Sequence, residues 1–332
     1  MSNVAIIGAT TWGNTLGRLL SNKGITVNIW AKTEARAREF EQEQQERRVK
    51  KDLPDCLSFS NNAGEVLHSA GLVICAVPAQ HMRQSVRQLK NYLTSSMTLV
   101  NVAKGLEADS GKRMSQVIAE EASPISQEQV CVLSGPNLSQ EINQGLPATS
   151  VIAARDIEMA KSIQSLFNSP DFTVFTSDDV VGVELCGALK NVIALGAGIV
   201  DGLELGNNAK AVLITVGWGE VVSLGTALGA KANTFYGLAG MGDLLATGNS
   251  PLSRNHYVGY ELGKGRPLSE ITASMSNVAE GVDTTIAVHH LVSKLNLDAP
   301  TIEFIYKVLF ETLPQDELSN LLKNRLKSGT AA

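Results

Sequence analysis

In the first half of the chain, short apolar runs alternate with stretches whose apolar residues fall at helical spacing. The runs at 4–7, 27–30, 72–77, 98–103, 130–133 and 150–153 are rich in Val, Ile and Leu. Their length and continuous hydrophobicity predict strands buried on both faces. Between them, 14–22 and 80–92 predict helices, so the element order is that of repeated βαβ units around a parallel sheet. The pattern changes beyond Thr176. Asp178 or Asp179 can cap a helix, and from there to Lys327 the apolar residues recur mostly at helical intervals, as in 179–200, 208–228 and 284–295. The prediction is an α/β domain over residues 1–178 followed by an all-helical domain over 179–332.

Composition agrees with two globular domains. The 332 residues are 44% hydrophobic and 18% charged, enough to bury a sizeable core. A net charge of -5 gives no overall basic field for nucleic acid or an anionic membrane surface, so any anionic ligand must be held by a local cluster. Cys56, Cys75, Cys131 and Cys186 form no CxxC pair, and Cys75 and Cys131 fall in strand-like runs; free thiols in a reducing compartment are expected. The five histidines form no HExxH, and His289 and His290 are adjacent, so no catalytic metal is expected. Met1 leads straight into the first strand without a cationic segment or cleavage-like site, and no uninterrupted apolar run approaches ~18 residues. The expectation is a cytoplasmic protein with no membrane insertion. Residues 34–51, dense in both charge signs, predict a solvated helix face.

One charge, Lys190, stands alone in the apolar run 185–200. At 100° per residue it shares a face with Ala194 and Ala197, with Gly187 beside it. Two readings fit: a helix lysine whose stem packs while its head reaches water, or a desolvated lysine with a lowered pKa, suited to moving a proton near neutrality. Gly182, Gly187, Gly196 and Gly198 share its helix, each costing about 1 kcal/mol relative to alanine, which predicts a helix buried among close neighbours.

Other segments carry groups for an anionic ligand. Gly8-Ala9-Thr10-Thr11-Trp12-Gly13 follows the first strand and opens a helix, the setting of a Rossmann-type turn that presents backbone amides to a dinucleotide diphosphate. Thr10 stands where the turn usually has glycine; a β-branched residue at positive φ there would be strained by about 1–3 kcal/mol and would crowd the diphosphate. Where an NAD site has an acid after the second strand, this chain has Lys32, then Arg36 and Arg38, which suit the extra phosphate of NADP or else belong to a charged surface helix. Lys104-Gly105 and Ser134-Gly135-Pro136-Asn137 end strands on the side where open α/β sheets bind ligands. Ser253-Arg254-Asn255 follows Gly240-Met241-Gly242-Asp243 and the turn-like Gly248-Asn249-Ser250-Pro251; an arginine flanked by hydroxyl and amide can grip phosphate, though Ser and Asn are also helix caps.

In this order the segments resemble the bacterial type of NAD(P)-dependent glycerol-3-phosphate dehydrogenase, over about residues 4–288. The resemblance is strongest in GALKNVIALGAGIVDGLELGNNAKA at 187–211, GLAGMGDLLATGNSPLSRN at 237–255 and AKGLE at 103–107. It implies a Rossmann domain followed by a helical domain of the 6-phosphogluconate dehydrogenase C-terminal type. It also implies reversible hydride transfer between NAD(P)H and dihydroxyacetone phosphate, giving sn-glycerol 3-phosphate for glycerophospholipid synthesis. Lys190 would be the catalytic acid or base, and Lys104, Gly135, Asn137, Asp243, Ser253, Arg254 and Asn255 would surround a small phosphorylated substrate. NADP or NAD would touch Gly8, Thr11, Trp12, Gly13, Lys32, Lys104, Ser139 and Arg254, together with Val278 and Glu280 of NVAEGV at 277–282. Asn137 replaces the family's usual Ser or Thr, Ser139 its alanine, Thr10 its middle glycine, and Val216 an arginine. A homodimer is the assembly expected. Two other readings remain: a related reductase for a different hydroxy acid, against which Ser253-Arg254-Asn255 argues, and a dinucleotide-binding regulator without turnover, motivated by Thr10 and Asn137.

Overall fold

The computed structural model describes residues 3–51, 56–248, 253–275, 277–311 and 320. Asn249, Ser250 and Pro251 of the turn expected before Ser253, and the helical pattern near Lys327, lie outside them. The described residues fall into two compact units, one drawn from Met1–Ala103 and Met114–Val180, the other from Lys104–Arg113 and Val181–Ala332.

The first unit is one eight-stranded sheet with β1 Asn3–Ile7, β2 Thr26–Trp30, β3 Leu57–Ser60, β4 Leu72–Cys75, β5 Thr98–Asn101, β6 Val130–Ser134, β7 Ala148–Ala153 and β8 Phe172–Ser177. The order is β3-β2-β1-β4-β5-β6-β7-β8. Pairing is parallel throughout except between β6 and β7, which are antiparallel. The parallel sheet expected from the sequence is present, and it carries one antiparallel pair. The connection from β6 to β7 contains only a five-residue helix, too little for the crossover that a parallel return needs. β3 and β8, at the two edges, escaped the sequence pattern because they are partly exposed and interleave Ser or Thr with apolar residues instead of reading as apolar runs.

Seven helices accompany these strands: α1 Thr11–Ser21, α2 Glu34–Lys51, α3 Ala63–Leu67, α4 Ala79–Leu89, α5 Met114–Glu121, α6 Ser139–Asn143 and α7 Ile157–Phe167. Side chains alternate across each strand, so Val4, Ile6, Leu72 and Ile74 share one core with Leu16 and Leu20 of α1 and Ile163 and Phe167 of α7. Ala5, Ile7, Val73 and Cys75 enter the other core with Met82 and Val86 of α4 and Met114 and Val117 of α5. Helices thus cover both faces, which is why β4, β5 and β6 are buried throughout and β1 nearly so.

The second unit is helical: α8 Val180–Gly202, α9 Gly206–Ala227, α10 Asp243–Gly248, α11 Arg254–Gly263, α12 Leu268–Ala273, α13 Glu280–Lys294 and α14 Pro300–Phe310. By length and composition α8 could cross a membrane, with a mean hydropathy of 1.6, but that stretch is wholly buried, as expected of a core helix. Its glycines permit this. A Cβ on Gly198 would lie 2.1 Å from the carbonyl oxygen of His256, and one on Gly259 of α11 would lie 2.0 Å from that of Leu195, so the two backbones touch. The start of α14 is capped from a distance: Ala299 offers no side-chain acceptor, and the buried carboxylate of Glu220 on α9 accepts from the amides of Thr301 (2.9 Å) and Ile302 (3.0 Å). Residues 104–113 form a small excursion closed by a bridge between Leu106 and Arg113, and Arg113 Nη1 pairs with buried Glu184 of α8 at 2.6 Å. These ten residues, which a linear division at 178 places with the sheet, group with the helices.

The contact between α8 and α11 yields a first prediction. Gly198→Ala should lower the unfolding free energy by about 1–3 kcal/mol, as overpacking does, in urea denaturation followed by circular dichroism. Gly219→Ala, on the outer side of α9 where no atom lies within 4 Å of the new Cβ, should leave stability unchanged or slightly raised.

Candidate active site

A charged lysine inside a core helix must be matched by opposite charge and hydrogen bonds. Lys190 is 5% exposed, and the short segment before α11 supplies its partners. A compact turn, Leu238–Gly242, leads into α10; Gly240 allows it, since a Cβ there would sit 2.2 Å from the carbonyl oxygen of Phe235. The first residue of α10 is Asp243, and Thr247 follows one turn later on the same face. Asp243 Oδ1 lies 3.2 Å from Lys190 Nζ and accepts from the Thr247 hydroxyl at 3.3 Å, while Lys190 Nζ also donates to Thr247 Oγ1. Asp243 Oδ2 takes Lys104 Nζ at 2.6 Å. One buried carboxylate therefore bridges two lysines, and the cluster keeps a net positive charge. Burial is the largest influence on Lys190 and pushes its pKa down to about 8; Asp243 opposes the shift, and Lys104 and Arg254 add to it. Of the two readings of this lysine, the solvated head is excluded by its burial.

A second set of bonds holds the cluster. Asn191 donates from Nδ2 to the Lys104 carbonyl at 2.8 Å and accepts at Oδ1 from Asn255 Nδ2 at 2.8 Å. Asn255 Oδ1 in turn accepts from the Gly281 amide at 2.9 Å. The chain of amides ties the 104–113 segment, α8, α11 and α13 together. Gly281 is required because a Cβ there would lie 2.8 Å from both the Asn191 carbonyl oxygen and Asn255 Oδ1. Ser253 Oγ accepts from the His256 amide at 3.2 Å and caps α11. Within Ser253-Arg254-Asn255, the side chains of Ser253 and Asn255 thus fix the start of α11, and Arg254 is the exposed cation projecting from it. Its Nη1 donates to the carbonyl of Val278 at 2.6 Å, and Val278 is itself exposed just before Glu280 opens α13.

In the first unit the turn between β1 and α1 is built for close approach. Gly8 has φ +114, and a Cβ on Gly13 would lie 2.4 Å from the Gly8 carbonyl oxygen. The strain expected at Thr10 is absent: its φ is -109, in the extended region, and it is the N-cap of α1. Thr11 is exposed and Trp12 packs part of its ring on the core. An 11-residue helix with Gly8 in the turn before it and Gly13 in its first turn, both too crowded for a side chain, fits a dinucleotide diphosphate at its N-terminus. Lys32 is exposed directly after β2, whereas Arg36 pairs with Glu39 at 2.7 Å and lies over Phe40, and Arg38 pairs with Glu34. These two arginines therefore serve the surface of α2. At the end of β6, a Cβ on Gly135 would sit 2.9 Å from Ser150 Cα. Asn137 donates to the Thr149 carbonyl at 2.8 Å and accepts from Ser150 Oγ at 3.0 Å, so its side chain ties the loop to β7; Ser139 begins α6.

Four residues of the helical unit's site were not marked by the sequence: Thr247, Asn191 and the paired Arg113 and Glu184. Thr247 carried a readable signal, its four-residue spacing from Asp243 on a helix; the partners of Asn191 and Arg113 come from distant segments and carried none.

Comparisons with known proteins show what the chain is similar to. Family models described as the N-terminus and the C-terminus of NAD-dependent glycerol-3-phosphate dehydrogenase match residues 3–160 and 179–320. A glycerol-3-phosphate dehydrogenase [NAD(P)+] of Dehalococcoides mccartyi strain 195 is 48% identical over 325 residues, covering 97% of this chain and 90% of the relative. One of Chlorobium phaeobacteroides is 40% identical, covering 95% of each. Among solved structures, a glycerol-3-phosphate dehydrogenase from Coxiella burnetii superposes with a TM-score of 0.90 at 30% identity, covering 98% of this chain and 99% of that one.

The carboxylate bridge is open to a direct check. Asp243→Asn removes the influence that raises the Lys190 pKa and leaves burial and Lys104 in place, so the Lys190 ammonium should titrate below about 8. Nitrogen-detected NMR of lysine-labelled protein, assigned with Lys190→Met, measures it; an unchanged or higher value would show that the carboxylate does not hold this proton.

Proposed function

The chain belongs to the NAD-dependent glycerol-3-phosphate dehydrogenase family, and from that premise we propose that it interconverts dihydroxyacetone phosphate and sn-glycerol 3-phosphate with Lys190 as the proton-transferring residue. The observation that carries the assignment of Lys190 is its burial beside Asp243 and Lys104 with a pKa near 8. A bound nicotinamide supplies the hydride. Gly8, Thr11, Trp12 and Gly13 offer the backbone turn for the diphosphate, and Lys32 offers a cation for the 2′-phosphate of NADP, which this reading favours over NAD. Lys104, Ser139, Arg254, Val278 and Glu280 are assigned to the dinucleotide on the family resemblance.

On the substrate side, Arg254 takes the phosphate with its planar guanidinium, held in place by the Ser253 cap and the Asn255 amide chain. Gly135 and Asn137 are kept as substrate contacts on the resemblance. At neutral pH Lys190 carries its proton; as negative charge develops on the C2 oxygen, the ammonium stabilises it and donates the proton. In the reverse direction neutral Lys190 accepts the hydroxyl proton. Asp243 and Lys104 hold the Lys190 head in one orientation. The enzyme is read as cytoplasmic, supplying glycerol 3-phosphate for glycerophospholipids.

The sign of the pH dependence follows. Ketone reduction uses the charged form of Lys190, which is lost as pH rises through about 8, while alcohol oxidation uses the neutral form gained over the same interval. Steady-state oxidation of NADH and NADPH with dihydroxyacetone phosphate should show turnover with both cofactors, a lower KM for NADPH, and none with unphosphorylated oxo acids. Lys190→Met should keep its circular dichroism and dinucleotide Kd and lose about 10²–10⁴-fold in kcat; near-normal turnover would refute the role. The homodimer is tested by sedimentation velocity at micromolar concentration, where a mass close to a single 35.3 kDa chain would exclude it.

A further inference from the structure

We propose that Thr10 sets the dinucleotide affinity of this chain, because its hydroxyl closes the diphosphate turn on itself and competes with the ligand for the Gly13 amide. The first-turn amides of a helix have no acceptor within the helix, and they are what an incoming diphosphate would use. In α1 these are the amides of Thr11, Trp12 and Gly13. Thr10 Oγ1 accepts from the Gly13 amide at 3.0 Å and donates its single proton to the Ala76 carbonyl, just beyond β4, at 2.9 Å. The hydroxyl thus has its donor and one acceptor position filled by the protein.

Two consequences follow from that pair of bonds. The turn is fastened without any ligand, because the side chain links the helix start to the loop after β4, 66 residues away in sequence. The same bonds also remove binding capacity. A hydroxyl has one proton, here given to Ala76, so towards a phosphate oxygen Thr10 can present only a lone pair or its methyl group, and the Gly13 amide is already satisfied. A glycine or alanine at this position would leave the Gly13 amide to the diphosphate, or to a water with a second proton to donate. The backbone conformation is not the obstacle, since the φ of -109 at Thr10 suits any residue. Thr10 therefore exchanges affinity for a turn that is ordered before the cofactor arrives.

This inference rests on the dinucleotide being the ligand, and binding of NADH or NADPH to the parent protein establishes that separately, before any variant is compared. Isothermal calorimetry with NADH and with ADP-ribose, alongside melting of the ligand-free protein, is then run on Thr10→Ala, Thr10→Gly and Thr10→Ser. Thr10→Ala should melt about 2–4 °C lower and bind both ligands about tenfold more tightly, the worth of one more hydrogen bond to a charged group. Equal gains for the two ligands place the effect away from the nicotinamide, which ADP-ribose lacks. Thr10→Gly should also bind more tightly and covers the case in which the alanine variant folds poorly. Thr10→Ser keeps the hydroxyl and should match the parent in both measurements. The opposed signs are the signature, since a purely structural threonine would lose stability and affinity together. Alanine and glycine variants that bind no more tightly would overturn the proposal, as would a serine variant that tightens as much as alanine, which would make bulk the cause.

Discussion

The Asp243 carboxylate is the interaction on which the helical unit's site depends. Lys190 is the one charged residue in the buried stretch 185–200 of α8, and an ammonium cannot stay there without a counter-charge. Asp243 supplies it, and with its second oxygen fixes Lys104, so one buried anion orders two cations from segments 86 residues apart in sequence. The arrangement is held by its surroundings and does not hold them. The folded protein binds the Lys190 proton less tightly than an unfolded chain would, so the charged form weighs against folding below the folded pKa, and that penalty fades as pH rises towards the ordinary lysine value. The amide chain from Lys104 through Asn191 and Asn255 to Gly281 and the Arg113–Glu184 pair tie together the segments that carry the cluster.

Much of this was legible in the sequence wherever one local pattern decided the outcome. The central strands read as apolar runs because helices cover both faces, and Lys190 stood out because nothing near it in sequence was charged. Edge strands β3 and β8 were invisible for the converse reason, being partly exposed and interrupted by Ser and Thr. The reversal of β7 was hidden because strand direction is set by what connects two strands, and a short helix after β6 looks like the start of a crossover until its length is known.

Side-chain roles at the site divide in the same way. Residue type marked Arg254 as a cation for phosphate and Ser253 as a possible helix cap, but could not show that Asn255 beside them spends its side chain on the Asn191 side chain and the Gly281 amide. Arg36 and Arg38 looked like Lys32 in sequence and differ from it only because acids one helical turn away, Glu39 and Glu34, claim them. At Thr10 the misleading step was conformational. The residue that needs positive φ in this turn is Gly8, and position 10 is extended.

Residues 104–113 have a consequence for how the chain can be divided. The polypeptide leaves the sheet after β5, contributes ten residues to the helical unit, and returns to finish the sheet before the remaining helices are made. No single scission separates the two units. A fragment beginning near residue 179 would contain every helix from α8 onward and still lack Lys104 and Arg113, leaving Asp243 with one cation and Glu184 without its arginine. The substrate half of such a protein cannot be inherited as a contiguous cassette: gene fusion or recombination at the apparent boundary would pair the Asp243 of one parent with the Lys104 of another. The two stretches are therefore obliged to change together, although 67 residues of sheet lie between them in the gene.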